Sequence, residues 1–213
     1  MDNIELPLRD RRQAAELLAD RLAHLRGSHP LILAIPRGAV PLGSIIADRL
    51  QGELDVVLVR KIPSAIDPEL AVGAVDEHGN RELAPYFNRT RTSMEWVELQ
   101  THEQLELMRR RRASYGSRRP PANPEGRVVV IVDDGLATGS TMAAALRSIR
   151  LRKPQRLIAA VPVAAPDSLE VIAPLCDEIV YLAAPMNFMS VSRHYTSFAQ
   201  VEEDEVLRLL TGH

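Results

Sequence analysis

The sequence predicts an α/β fold, a doubly wound and mainly parallel sheet with flanking helices. Three observations predict it. The runs Leu31–Ile35, Val128–Val132 and Leu157–Val163 are apolar throughout, as strands covered on both faces must be. Segments with helical spacing alternate with them, the order that produces a parallel sheet. The strongest run ends in two acids, a small-residue loop and a helix, and open α/β sheets bind ligands at such carboxyl ends.

The elements follow in order. Asp10–Leu25 is expected as a helix: Ala14, Leu17, Leu18, Leu22 and Leu25 share one stripe and charges fill the other face. Gly27 and Pro30 end it. Leu31–Ile35 is a strand, broken by Pro36-Arg37-Gly38, and Pro41–Leu50 resumes helical spacing. Leu54–Val59 is a second strand and Leu70–Val75 a third, turned by His78-Gly79-Asn80. Thr92–Arg112 reads as a long polar helix with Met94, Val97, Leu105 and Met108 on one side. Residues 109–124, rich in Arg, Ser and Pro, read as a mobile basic loop. Val128–Val132 is five consecutive β-branched residues, the clearest strand. Gly139–Arg150 is a helix, Leu157–Val163 a strand, Asp167–Leu175 a helix and Glu178–Leu182 a last strand. With no internal repeat and no low-complexity linker, one domain over 1–213 is expected.

Composition narrows the classes. The 213 residues are 46% apolar and 25% charged, as in ordinary globular chains. A net charge of −2 speaks against a general nucleic-acid partner. The single Cys176 permits no intrachain disulfide and reads as a buried, inert thiol in a helical run. The segment Met1–Asp10 lacks the apolar core of a signal peptide, and no run approaches the roughly 18 apolar residues that span a bilayer. A cytoplasmic protein with no membrane partner is expected.

The chemistry concentrates in Val128-Val-Val-Ile-Val-Asp-Asp-Gly-Leu-Ala-Thr-Gly-Ser-Thr141. A strand delivers Asp133 and Asp134 to its carboxyl end. Gly135, Leu136, Ala137, Thr138, Gly139, Ser140 and Thr141 then lead into a helix. Glycines let backbone amides approach an anion, hydroxyls add donors, and the helix N-terminus adds unpaired N–H groups. The acids could hold a vicinal diol or a hydrated divalent cation. Other phosphate loops fit worse: no lysine follows Gly139, and Gly135 and Gly139 are spaced wrongly for a dinucleotide fingerprint.

This segment resembles the diphosphoribosyl-binding signature of type I phosphoribosyltransferases. The resemblance implies that family's fold, with a small hood built from terminal segments. It implies 5-phosphoribosyl 1-diphosphate as donor, a nitrogenous acceptor such as a nucleobase, release of diphosphate, and Mg2+ as cofactor. Asp133 and Asp134 would hold the ribose and, largely through substrate and water, the metal. Ala137 to Thr141 would hold the 5′-phosphate. Ala34-Ile-Pro-Arg-Gly-Ala-Val-Pro41 is similar to the family's diphosphate loop, with Arg37 as a charged fork and Gly38 allowing close amides. Arg60-Lys61 ends the second strand, where the family often has a basic residue near the diphosphate. Lys61 is therefore a candidate beside Arg37, Asp133 and Asp134 for the catalytic set, with a solvated strand-end lysine as the alternative. The pattern Val59–Lys61 with Pro68–Ala74 is similar to a group of stand-alone bacterial members of unassigned acceptor.

Weaker signals remain open. Arg109–Arg119 holds six arginines and could be a flap over the diphosphate, an RNA patch or a solvated helix end. Phe188, Tyr195 and Phe198 fall in 186–200, a candidate hood, and Phe188 could stack on the acceptor. His194 could be a general base or a surface residue, and Glu69 an edge acid or a strand cap. A ribose-phosphate or nucleotide sensor without turnover is the alternative function. A homodimer is left open, because this fold often pairs.

Overall fold

The computed structural model describes residues 4–115 and 120–212. Its central sheet is parallel and five-stranded, with spatial order β2-β1-β6-β7-β8. The strands are β1 (Leu31–Ala34), β2 (Glu53–Val56), β6 (Val128–Val132), β7 (Arg156–Val163) and β8 (Glu178–Ala183). In register, Leu31 faces Glu53 on one side and Val129 on the other.

Alternate residues of each strand feed two separate cores. Ile32, Ala34, Val130, Val132, Ile158 and Ala160 join the first core, with α1 (Arg11–Arg21) and α2 (Val40–Leu50). Leu31, Leu33, Val129, Ile131, Leu157 and Ala159 join the second, with α4 (Ser140–Leu151) and α5 (Pro166–Ile172). Both faces of the inner strands are therefore covered by apolar cores, which is why these strands lack polar alternation.

A second sheet is antiparallel, with order β3 (Val59–Pro63), β4 (Ala71–Asp76), β5 (Arg81–Leu83). The expected strand Leu54–Val59 is thus divided: β2 ends at Val56 and Val59 opens β3. Mixed burial along β3 explains the misreading, since its pairing rather than its apolar content makes it a strand. Helix α3 (Met94–Ser114) and α4 pack on this sheet.

Other boundaries shift modestly. The expected helix 10–25 is α1 followed by a 3-10 turn at Ala23–Leu25, and Asp10 caps α1 by accepting from the Gln13 N–H at 2.8 Å. The helix expected at 167–175 ends at Ile172, and Cys176 lies beyond it in extended backbone, half-buried rather than buried. Helix α6 (Glu203–Thr211) has no counterpart in the elements read from sequence; its Val206 is buried in the first core.

The basic stretch 109–124 is corrected in part. Arg109–Ser114 is the last part of α3, not loop, and the Arg112 guanidinium is largely buried in ion pairs with Asp55 and Glu77. A flap cannot be built from a cation so held. Residues 116–119, including Arg118 and Arg119, lie outside the described residues. No helix among the described residues is long and apolar enough to cross a membrane.

Candidate functional site

The chain leaves β1 toward β2 and leaves β6 toward β7, so connections diverge between β1 and β6. A crevice opens at their carboxyl ends, the usual ligand position in such sheets. The loop after β1 carries Pro36, Arg37 and Gly38, and the loop after β6 carries Asp133 to Gly139. The peptide bond between Pro36 and Arg37 is cis.

The two acids differ in their surroundings. Asp133 accepts from the Asp134 N–H at 2.9 Å. Loss of hydration, reinforced by the neighbouring Asp134 charge, pushes its carboxyl well above the usual carboxylate range. Asp134 is gripped by Arg11, the first residue of α1, which sequence reasoning missed. Arg11 donates to Asp134 Oδ2 from Nε at 3.1 Å and from an Nη at 2.8 Å. The Tyr195 hydroxyl donates to the Asp134 carbonyl at 2.7 Å, and burial followed by the Asp134 charge pushes that phenol upward. Gly38 packs against the same carboxylate, so the diphosphate-loop candidate and the acid pair are in contact. No local signal marks Arg11; its partner is 123 residues away.

Among the described residues no group of three or more His, Cys, Asp or Glu could cage a metal ion. With Asp134 Oδ2 already taken by Arg11, the donor set suits a cation that brings most of its oxygen ligands with it.

The small-residue loop is partly structural. Leu136 is buried, its N–H donates to Val163 O at 2.8 Å, and its carbonyl accepts from Ala165 N at 2.8 Å. Its place among the ligand residues is therefore corrected: it pins the loop to β7 and has no backbone polar group to spare. Ala137 O accepts from the Ser168 hydroxyl. Thr138 and Ser140 hydroxyls lie 3.1 Å apart at the loop rim. Gly139 precedes the first turn of α4, whose N-terminus faces the crevice with Ser140 and Thr141. Val191 lies on Gly135, where a β-carbon would meet its Cγ1 at 2.4 Å.

Arg60 and Lys61 separate, as neighbours on a strand must. Arg60 lines a cavity of about 240 Å³ with Ile35, Pro36, Leu107, Met108, Arg111 and Thr141. Gln104 Oε1 accepts from its Nε at 2.9 Å. Lys61 lines a different cavity, of about 230 Å³, with Thr138, Ser140, Arg147 and Tyr86. Lys61 therefore shares its cavity with the small-residue loop, and Arg60 shares its own with the loop after β1. Arg37, Arg60 and Arg111 have no carboxylate partner among the described residues, whereas Arg109 and Arg112 do. The four-residue arginine run 109–112 hides that difference within α3, because successive positions on a helix face different neighbours.

The terminal segments meet above the acids. Leu8 pairs with Tyr195, accepting from Thr196 N at 2.7 Å and donating to His194 O at 2.8 Å. Phe188 lies half-buried against His194, ring centroids 4.9 Å apart. Burial pushes the His194 imidazole down, and its Nε2 is enclosed without a partner. Glu69 is exposed in the turn between β3 and β4, its N–H donating to Asp67 Oδ1 at 3.0 Å, and it lines neither of the two cavities.

The profile of the family described as "Phosphoribosyl transferase domain" matches residues 8–191. A Mycobacterium tuberculosis protein provisionally named a phosphoribosyl transferase is 38% identical over 202 residues, covering 94% of this chain and 46% of the relative; its counterpart in a second strain matches equally. The chain thus spans about half the length of the curated relatives it matches. The crystal structure of TT1426 from Thermus thermophilus is 41% identical, superposes with a TM-score of 0.88, and covers 97% of this chain and 99% of that one.

Proposed function

The chain belongs to the phosphoribosyl transferase domain family, and on that premise we propose that it binds 5-phosphoribosyl 1-diphosphate and transfers phosphoribose to a nitrogenous acceptor, releasing diphosphate. One observation carries the reading. The acid pair, the small-residue loop and the loop after β1 converge on one crevice at the strand-order switch, with Gly38 touching Asp134. A lone phosphate site would need only the second of these three.

In this reading Asp133 and Asp134 receive the ribose hydroxyls. Gly135, Ala137, Thr138, Gly139, Ser140 and Thr141 hold the 5′-phosphate, with Lys61 on their outer side. Arg37, Arg60 and Arg111 face the diphosphate. Mg2+ would be held by Asp133 and Asp134, largely through substrate and water, and would supply positive charge to the leaving diphosphate. The acceptor nitrogen attacks C1 of the ribose as the bond from C1 to the diphosphate oxygen breaks. The chain's own residues contribute position and charge neutralisation rather than covalent chemistry. Phe188 and the segment 186–200 supply the acceptor side.

The test is to incubate the chain with the donor, Mg2+ and a panel of nitrogenous bases and to measure diphosphate. Base-dependent release above the uncatalysed background is expected. Donor binding by calorimetry with no base-dependent release would replace the transferase with a sensor. No donor binding would remove both.

A further inference from the structure

We propose that Arg11 is a positioning residue of the ribose site, setting through Asp134 which carboxylate oxygen a sugar hydroxyl meets. The inference rests on the reading of Asp134 as a ribose ligand given above.

Arg11 is held more firmly than charge balance requires. Its Nε and one Nη donate to Asp134 Oδ2 at 3.1 and 2.8 Å, and the other Nη donates to Ala199 O at 2.6 Å. The guanidinium lies 3.7 Å from the centre of the Phe198 ring. Its side chain is 13% exposed and that of Asp134 17%, so the pair is shielded and worth more than a surface ion pair. A planar fork gripped on three sides cannot follow a moving carboxylate, and the carboxylate must adapt to it.

Asp134 is constrained from its other sides too. Its N–H is bonded to Asp133 Oδ1, its carbonyl accepts from Tyr195, and Gly38 blocks the flank of Oδ2. Arg11 occupies Oδ2 twice. Oδ1 is the oxygen with no protein donor among the described residues, and the one left for a hydroxyl. Arg11 is also a cation in direct contact with Asp134, and its charge acts on the adjacent Asp133. Without it, two neighbouring carboxylates lose their counter-charge and Asp134 loses the contact that fixes its rotamer. Ribose recognition then depends on α1 and on the segment carrying Phe198 and Ala199, which lie at opposite ends of the chain.

The test uses wild type, Arg11→Lys and Arg11→Gln, titrated calorimetrically with ribose 5-phosphate, its 2-deoxy and 3-deoxy analogues, and inorganic phosphate. A hydroxyl bonded to a carboxylate should give wild type a preference for ribose of roughly tenfold or more over one deoxy sugar. Arg11→Gln should cut that preference to about threefold or less, with phosphate and deoxy-sugar affinities kept within about twofold, and Arg11→Lys should fall between. Lys retains the charge, so it also serves if the Gln variant does not fold. A purely structural role would weaken all four ligands together and overturn the proposal. Tighter ribose binding by Arg11→Gln would make Arg11 a plug and overturn it as well. An unchanged preference, or none in wild type while the donor still binds, would reject Arg11's role and leave the functional reading standing. Absence of any sugar-phosphate or donor binding by wild type would sink both.

Discussion

Gly38 stands so close to Asp134 that a β-carbon on it would lie 2.1 Å from Oδ2 and 2.9 Å from Cγ. The loop after β1 and the acid after β6 can therefore share one crevice only if residue 38 has no side chain. Asp134 cannot yield freely, because Arg11 holds the same oxygen. Gly38→Ala should lower affinity for 5-phosphoribosyl 1-diphosphate by roughly 10- to 100-fold, in line with an overpacking cost of about 1–3 kcal/mol. Calorimetry checks it, with far-UV circular dichroism to confirm folding. Wild-type affinity in a folded variant would show that the contact does not shape the site.

Arg60 and Lys61 should behave differently despite being adjacent, because they line different cavities. Arg60→Ala should weaken 5-phosphoribosyl 1-diphosphate by roughly tenfold or more and leave ribose 5-phosphate within about twofold. Lys61→Ala should weaken both ligands to a similar degree, since both carry the 5′-phosphate. Titration of each variant with each ligand decides it. The reverse pattern would return Lys61 to the diphosphate side.

Arg112 bridges Asp55 and Glu77, with Asp55 Oδ1 at 2.6 Å, and also donates to Val56 O at 2.9 Å. All three side chains are 12–15% exposed. Removing the cation leaves two shielded acids unpaired, so Arg112→Ala should cost about 3–5 kcal/mol of stability. Urea unfolding measures this. A loss below about 1 kcal/mol, the range of surface pairs, would contradict a structural clamp between α3 and the two sheets.

Asp133 gives a pH prediction. Burial, then the charge of Asp134, raise its carboxyl well above the usual range in the folded chain. The folded state therefore keeps this proton where the unfolded state has lost it. Its contribution to stability is neutral below the unfolded value near 3.9, falls as pH rises through the interval up to the raised value, and is fully unfavourable above that. Asp133→Asn should thus gain on wild type in Tm as pH is raised from about 4 towards neutrality. Scanning calorimetry of both chains across that range tests it. Parallel Tm profiles would mean that the Asp133 carboxyl titrates as an ordinary one.

The parts of this molecule legible in the sequence are those whose physics is local. The strands β1, β6 and β7 announce themselves because both faces are covered, and Asp133 to Thr141 because strand, acids, loop and helix are consecutive. The parts not legible depend on partners far along the chain. The strand β3 has an ordinary, mixed composition and exists through pairing with β4. The arginines 109–112 look alike in sequence, yet Arg109 pairs with Glu106 within its own helix while Arg112 reaches residues 35 and 57 positions away. Leu136 reads in sequence like the rest of the candidate ligand loop; its burial against β7 is visible only with the chain folded.

Chain order and residue type were enough to establish the α/β class, the crevice-facing loops and the acid pair, since hydrophobic period, strand length and loop chemistry are properties of contiguous residues. Three matters needed the tertiary structure. They are the grip of Arg11 on Asp134, the placement of Arg60 and Lys61 in separate cavities, and the burial of Arg112. Each depends on which distant groups share a low-water space, and only packing brings such groups together.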